Sequence, residues 1–261
     1  MISTYLNSMH EGFAKRTAMV LIGLAVMMAY AFNRMTDAII PPPTQPLVRA
    51  TTLVMQALSR QLVGASAIWI LVTIFAAAPL FASTLEKGWL ELIFSKGTPR
   101  WQIFLGRFLA GTTMYMVTFA IANFPLAIRL WWTVGIPTWR ITIACLLETL
   151  ALVSLLSLAA LASLLQRGAA MPMLIGTAGW FVSGALEARK VVFFGMFTSE
   201  FSHTVLDWIY NIMPKCSELH TLAIDFVRLG KITSWWPVWS TALFAACTMV
   251  LTMWRLERKS F

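Results

Sequence analysis

The sequence predicts an all-α membrane protein with six transmembrane helices. Of its 261 residues, 59% are hydrophobic and only 12% are charged, whereas soluble domains are about a quarter charged. The apolar residues fall in runs of about 20, the length at which a helix crosses a bilayer. Three cysteines in so long a chain exclude a secreted disulfide scaffold. The aliphatic and aromatic content excludes a disordered chain.

The charge balance indicates contact with lipid headgroups. The chain has 20 Lys and Arg against 11 Asp and Glu, a formal net charge of +9. In a soluble protein this balance would favour nucleic acid as a partner. No basic stripe with interleaved aromatic residues occurs outside the apolar runs, so we expect no nucleic-acid binding. Lys and Arg that flank membrane spans meet anionic headgroups instead, which makes the bilayer the expected partner.

The elements follow one another along a single transmembrane domain, 1–261. Residues 2–16 predict an amphipathic helix at the membrane interface, because one helical face is apolar and the segment is too polar to span. That face consists of Ile2, Tyr5, Leu6, Met9 and Phe13. The six predicted spans are 17–32, 61–83, 103–131, 141–165, 170–186 and 236–254. Tryptophans at several span ends predict interface anchors.

An even number of spans places both termini on one side of the membrane. Lys and Arg divide evenly between the two sides, but on the side of the termini they cluster close to the span ends. Lys15 and Arg16 precede the first span, and Arg255, Arg258 and Lys259 follow the last. The positive-inside rule therefore predicts a multi-pass protein of the cell inner (cytoplasmic) membrane with both termini in the cytoplasm.

The segment between spans two and three is the most informative one. It predicts a short amphipathic helix on the membrane surface, whose apolar face consists of Leu85, Trp89, Leu92 and Ile93. Gly97 is suited to end this helix, and Thr98 to cap a second one with Pro99 at its first position. Arg100 and Arg107 on that second helix complete a charged elbow at the cytoplasmic face. An ordinary interfacial helix between two spans remains the alternative.

This stretch resembles the signature loop of the ABC-2 type membrane transporter family, the permease subunits of ATP-binding-cassette exporters. The matching residues are Glu86, Gly88, Leu90, Glu91, Leu92, Ser95, Arg100, Leu105 and Gly106. The departures from the family pattern are Trp89, Gly97, Pro99 and Arg107. The end of the chain is also similar to the family, with Pro214, Gly230 to Ile232 and the basic cluster Arg255 to Lys259. The resemblance covers essentially the whole chain.

The resemblance implies an exporter of two permeases and two ATPases, with the substrate pathway between the permease copies in a homo- or heterodimer. No GxxxxGK[ST] phosphate-binding loop occurs in the sequence, so ATP and Mg would be bound by a separate ATPase chain. This chain would then hold no cofactor and would not itself be an enzyme. The region 84–100 would be the coupling helix that docks on the ATPase. Its expected contact residues are Glu86, Trp89, Glu91, Lys96 and Arg100.

The connection 187–234 between spans five and six is too apolar for a plain loop. Two helical stripes occur in it, one ended by Pro214 and the other by Gly230. The first consists of Phe201, Val205, Trp208, Ile209 and Ile212, and the second of Leu219, Leu222, Ala223, Phe226 and Leu229. In the resembling family this region makes re-entrant or surface helices that cap the pathway. A cover for the bundle, a substrate gate and a contact for a periplasmic adaptor are the three interpretations.

Glu148 is the only acidic residue well inside a predicted span. It follows Trp139 by nine residues, which places it about 13 Å deep at 1.5 Å per residue. Ionisable groups at such a depth usually face a cavity or a partner. Glu148 is therefore a candidate for the translocation path or a proton-linked site, and a hydrogen-bonded packing role is the alternative. The histidines, His10, His203 and His220, fall outside the predicted spans, and His203 and Asp207 form at most a weak i, i+4 pair.

Two further functions are considered beside the exporter subunit. An intramembrane enzyme would need a nucleophile and base or a metal site, and neither HExxH nor GxSxG occurs. A stand-alone carrier or channel would fit six spans, but the sequence contains no clear inverted repeat and little buried charge. The transported substrate is not encoded in any motif.

Overall fold

In the computed structural model, the described residues are 17–39, 68–81, 99–134, 137–165, 168–196 and 200–258, together with residue 6. Within these ranges every regular element is a helix. In chain order the α-helices are α1 Thr17–Ile39, α2 Ile68–Phe81, α3 Arg100–Val134, α4 Thr138–Ser163, α5 Ala170–Glu187, α6 Phe193–Met196, α7 Glu200–Ile212, α8 Cys216–Leu229 and α9 Trp236–Arg258. A 3-10 turn, Ala188–Lys190, follows α5.

Three of the described helices are long and apolar enough to cross a membrane: Trp101–Pro125 within α3, all of α4 and all of α9. The all-α class is confirmed, and these three helices agree with the prediction of a membrane protein. The apolar segments of α1 and α2, Met19–Ala31 and Ile68–Phe81, are shorter than a span. The count of six spans therefore stays a prediction, as do the interfacial helix 2–16 and the coupling helix 84–100, which lie outside the described residues apart from Leu6, Pro99 and Arg100.

Helix α4 is the centre of the bundle and packs against α3, α5, α8 and α9. Its sequence is apolar on all sides, which is typical of a helix that is surrounded by protein. Leu152, Leu155 and Leu156 in its middle are fully buried. At 26 residues the helix is about 39 Å long.

Helix α9 runs parallel to α4. Ser157 Oγ of α4 lies 2.6 Å from Thr248 Oγ1 of α9. Arg255, one turn before the end of α9, lines the same cavity as Leu164 of α4. From the Ser157–Thr248 contact to this cavity, both helices advance by seven residues in the same direction. The last turn of α9, which contains Arg255 and Arg258, thus lies beside the end of α4. We call this the arginine end of the bundle.

Exposed tryptophans mark the opposite end, which we call the tryptophan end. They lie at the end of α3, at the start of α4 and at the start of α9, and they are Trp131, Trp132, Trp139, Trp235, Trp236 and Trp239. Because α4 and α9 are parallel and α3 joins α4 through a short connection, all six belong to one end. Half-exposed tryptophans at the ends of apolar helices are typical of a membrane–water interface.

Helix α8 lies beside the half of α4 that leads to the tryptophan end. Cys216 Sγ, at the start of α8, is 3.4 Å from Ser154 Oγ, and the ring of Phe226, near its end, lies 5.8 Å from that of Trp139. The two helices are therefore antiparallel, and α8 starts near the middle of α4. Helix α8 ends at Gly230, as the sequence predicts, and Gly230 has the left-handed conformation with φ 70°.

The two stripes predicted in the connection form helices α7 and α8, but only one of them is buried. Leu219, Leu222, Ala223 and Phe226 of α8 pack against the bundle, and Leu229 is exposed. All five apolar residues of the α7 stripe are exposed. Helix α8 is thus an inserted part of the bundle, whereas the apolar face of α7 is open to lipid or to another chain.

The elbow differs from its prediction at two residues. Helix α3 begins at Arg100, one residue later than expected, and Pro99 O accepts a hydrogen bond from the Gln102 N–H at 3.1 Å. Arg107 does not belong to a charged surface: it is fully buried, and its Nη1 donates to the carbonyl of Leu80 at the end of α2. The last carbonyls of a helix commonly accept hydrogen bonds from groups outside the helix. Arg107 therefore ties α2 to α3.

Candidate functional site

The residues predicted to couple to an ATPase fall almost entirely outside the described residues. Glu86, Trp89, Glu91 and Lys96 lie in 82–98, and for Arg100 only the backbone is described. The coupling surface stays a prediction. Arg100, at the start of α3, lies at the arginine end of the bundle, since α3 and α4 are antiparallel.

Glu148 meets His220 in the interior of the bundle. Helix α4 carries Glu148 at 2% exposure, and α8 carries His220 at 8% exposure. His220 Nδ1 and Glu148 Oε1 form a hydrogen bond, which is an ion pair when the imidazole is protonated. The pair joins the central helix to the inserted one. It is the only contact between an acidic residue and a histidine among the ion pairs of the described residues.

The sequence pointed to Glu148 but not to its partner. His220 was placed outside the spans as part of an external connection, whereas α8 carries it into the bundle. Its position on the helix contained the information: His220, Ala223 and Val227 recur at helical spacing and are all buried. The contact itself required the antiparallel register of α8 and α4, which no local pattern specifies.

Aromatic and titratable groups from several helices surround the pair. The Trp180 ring of α5 lies edge-on to the His220 ring, with 6.2 Å between centroids. Tyr115 of α3, Cys145 of α4 and Cys216 of α8 lie within electrostatic range of Glu148. Neither Glu148 Oε2 nor the Tyr115 hydroxyl has a hydrogen-bond partner among the described residues. Both atoms are buried, so the interior contains unused hydrogen-bonding capacity beside the pair.

Small hydroxyl and thiol groups extend the polar contacts along α4. Ser154 contacts Cys216, and Ser157 contacts Thr248 of α9. In α5, Ser183 Oγ accepts a hydrogen bond from the backbone N–H at the start of α8, at 3.2 Å. The three contacts attach α8 and α9 to their neighbours. Serine and threonine commonly join packed helices in membranes in this way.

A second charged cluster lies after the C-terminal end of α5. Arg189 Nε donates to Asp207 Oδ1 at 2.7 Å, and its guanidinium lies 3.4 Å from the centroid of the Tyr210 ring. The Lys215 ammonium lies 4.2 Å from the same ring and donates to the Tyr210 carbonyl. The Tyr210 hydroxyl donates to Glu218. Tyr210 is thus held between two cations, and the cluster joins α5, α7 and α8.

The contacts in this region differ from the His203–Asp207 pair that the sequence suggested. The i, i+4 spacing of His203 and Asp207 predicts at most a weak contact, and the structure gives both residues other neighbours. Asp207 binds Arg189, and the His203 ring stacks on Phe194 with 4.1 Å between centroids. Arg189 is 18 residues away in the sequence, so spacing along one helix could not identify it.

Burial shifts two titrations in this cluster. Burial, reinforced by the Glu218 carboxylate, raises the pKa of Tyr210 above its ordinary value of 10.0. Burial lowers the pKa of Lys215 below 10.5, although Glu218 opposes the shift. Tyr210 is therefore a neutral hydrogen-bond donor at neutral pH. The cluster contains two cations and two carboxylates, which balance in charge.

Two of the cavities of the described bundle are apolar grooves at its surface. One of about 240 Å³ lies between α3 and α4 and is lined by Asn123, Cys145 and Thr149 among others. Another of about 320 Å³ lies between the end of α7 and α9. Glu148 lines neither groove because it faces α8. No group of three potential metal ligands occurs among the described residues.

Comparisons with protein-family models, with curated proteins and with solved structures find no match to this chain.

Proposed function

We propose that this chain is the transmembrane permease subunit of an ATP-binding-cassette exporter, driven by a separate ATPase. The observation that carries the proposal is the ordered motif from Glu86 to Gly106. It resembles the family loop at nine residues in the same order, and it runs in sequence into α3, a helix apolar and long enough to span. The proposed coupling helix is 84–100, and the full permease has six spans.

The distribution of arginines and exposed tryptophans between the two ends of the bundle supports the proposed orientation. Arg255 and Arg258 lie at the same end as the start of α3, and the exposed tryptophans lie at the other end. Under the positive-inside rule the arginine end faces the cytoplasm. A coupling segment just before Arg100 then lies on the side where a soluble ATPase would dock. The termini lie on that side too in the proposed topology.

The inserted helix α8 also agrees with the proposal. The resemblance implies re-entrant or surface helices that cap the pathway before the last span. Helix α8 begins near the middle of α4 and ends near Trp139. The exposed stripe of α7 beside it suits lipid or the second permease copy. We propose that the pathway lies between two copies and that a periplasmic adaptor is a further partner. Glu148 is buried against His220 within one copy, so its assignment to that pathway stays a prediction.

Charge reversal in the coupling segment tests the proposal. Glu91→Lys and Arg100→Glu should lower the ATP hydrolysis that co-purifies with the permease, because they disrupt polar contacts to the ATPase while leaving the apolar spans intact. Glu200→Lys is the matched control, since Glu200 is exposed on α7, away from the arginine end. Unchanged hydrolysis in both coupling variants, with the ATPase still bound, would contradict the assigned docking site.

A stand-alone proton-linked carrier is the second candidate, and the buried Glu148–His220 pair is the observation that favours it. Pairs of carboxylate and imidazole inside membranes often relay protons. The two candidates differ in energy source. A carrier in sealed vesicles would respond to an imposed pH gradient without ATP, whereas an exporter subunit would require ATP and its partner. Transport that proceeds fully without ATP would favour the carrier.

A further inference from the structure

We propose that the arginine end of the bundle contains a binding site for an anionic phospholipid. The headgroup phosphate occupies a cavity of about 390 Å³ between the end of α4 and the end of α9, and the acyl chains lie along the outer face of α9. The cavity is lined by Leu164, Trp254, Arg255 and Arg258. The site belongs to one chain and its lipid, so this inference does not rest on the proposed exporter function.

Arg255 and Arg258 are the charged residues that line this cavity. Both are exposed, and no carboxylate of the described residues lies within ion-pair distance of either guanidinium. Glu257 on the same turn is also exposed and forms no such pair with them. A guanidinium can donate two parallel N–H groups to one phosphate. Two unpaired arginines beside one cavity are therefore suited to hold a phosphate group.

Trp254 positions one of the arginines and marks the depth of the site. The central guanidinium carbon of Arg258 lies over the Trp254 ring, 4.3 Å from its centroid. An arginine held over an aromatic ring keeps the N–H groups at its edge available to an anion. Trp254 is 48% exposed, and half-exposed tryptophans of membrane helices lie at headgroup level. The cavity is therefore at the depth of the lipid phosphates.

The outer face of α9 leads from the apolar interior of the membrane to the two arginines. Side chains at i, i+4 spacing lie one above the other on a helix, and two such rows end at the arginines. Every member of both rows is exposed: Leu243, Cys247 and Leu251 precede Arg255, and Val250 and Trp254 precede Arg258. The opposite face of α9 is buried against the bundle. Two apolar rows below two cations match two acyl chains below a phosphate.

The two positive charges select the class of headgroup. A choline or ethanolamine headgroup brings a further cation to Arg255 and Arg258, whereas a glycerol headgroup leaves the phosphate as the only charge. Each arginine near an anionic lipid strengthens its binding about fivefold. We therefore expect phosphatidylglycerol to be preferred over phosphatidylcholine by about 25-fold at this site. A soluble acidic segment would find no use for the apolar rows of α9, so a lipid is the better match.

Fluorescence quenching of the full chain in nanodiscs tests the proposal. The probes are phosphatidylglycerol and phosphatidylcholine that carry bromine near the headgroup end of their acyl chains, and the signal is the emission that Trp254→Phe removes. The preference for phosphatidylglycerol should be about 25-fold in the wild type, about fivefold in Arg255→Gln or Arg258→Gln, and absent in the double variant. Arg228→Gln is the matched control, because Arg228 is an exposed arginine of α8 near the tryptophan end, and it should leave the preference unchanged.

Three outcomes of this experiment would overturn the proposal. Equal quenching of Trp254 by both lipids would mean that the site does not select a headgroup, and quenching by neither would mean that a protein chain covers α9. Loss of the preference when inorganic phosphate replaces chloride at constant ionic strength would mean that the cavity takes the free anion. Arg255→Lys/Arg258→Lys should keep most of the preference, because lysine still binds phosphate as a point charge.

Discussion

Gly176 lies where α5 crosses α2, and its missing side chain sets the distance between the two helices. A Cβ atom built at this position would lie 2.9 Å from Ile74 Cγ2 and 3.4 Å from the Cβ of Ala159 on α4. Contacts below 3.0 Å require a shift, and the branched Ile74 side chain has little freedom to move. We therefore predict that Gly176→Ala destabilises the bundle.

The magnitude follows from comparison with Gly184 on the same helix, where an added Cβ would meet nothing within 4 Å. Both substitutions gain the same helix propensity, up to about 1 kcal/mol. Only Gly176→Ala also overpacks the contact with Ile74, which lowers the free energy of unfolding by about 1–3 kcal/mol. The two variants should thus differ by about 2 kcal/mol in free energy of unfolding. At roughly 2–4 °C per kcal/mol, Gly176→Ala should melt about 4–8 °C lower than Gly184→Ala.

Thermal unfolding of both variants in the same detergent measures the difference. The double variant Ile74→Ala/Gly176→Ala provides the decisive control, because it removes the Cγ2 atom that the new methyl group meets. The destabilisation caused by Gly176→Ala should be smaller in the Ile74→Ala background than in the wild type. Equal melting temperatures for Gly176→Ala and Gly184→Ala would refute the packing of α5 on α2.

Three further predictions concern the polar contacts. Ser157→Ala removes the contact to Thr248 and should cost about 0.6 kcal/mol, a small drop in melting temperature. Because the pKa of Tyr210 is raised in the folded protein, the unfolded chain loses the phenol proton at a lower pH than the folded chain does. The resulting stabilisation is complete below about pH 10 and is lost as pH rises through the folded-state pKa. The melting temperature of the wild type should therefore fall above about pH 10, and that of Tyr210→Phe should fall less. Arg189→Lys loses the planar group that binds Asp207 and covers Tyr210, and should increase proteolysis of α7 without cleavage in α9.

The sequence was sufficient for the all-helical class and for the helical stripes of α7 and α8, and it identified Glu148 as an acidic residue in the interior of a helix. Each of these depends on composition or on periodicity within one segment. The predicted end of α8 at Gly230 was also correct, because a left-handed cap is a local property.

Contacts between residues far apart in the chain could not be predicted from the sequence. The burial of Arg107, the partner of Glu148 and the Arg189–Asp207 pair all depend on how separate helices are placed beside each other. A lone arginine at the start of a span is usually expected at the interface, and nothing local shows that the Leu80 carbonyl will accept its bond. A histidine in a polar-looking connection gives equally little indication that its helix is inserted.

Purification of the chain from its native membrane, followed by assay of ATP hydrolysis, tests the central claim most directly. The account predicts that a soluble ATPase co-purifies in equal amount and that its hydrolysis is inhibited by vanadate. It also predicts that Glu91→Lys lowers this hydrolysis while Glu200→Lys does not. A pure, transport-active preparation with no ATPase and no vanadate-sensitive hydrolysis would contradict the claim.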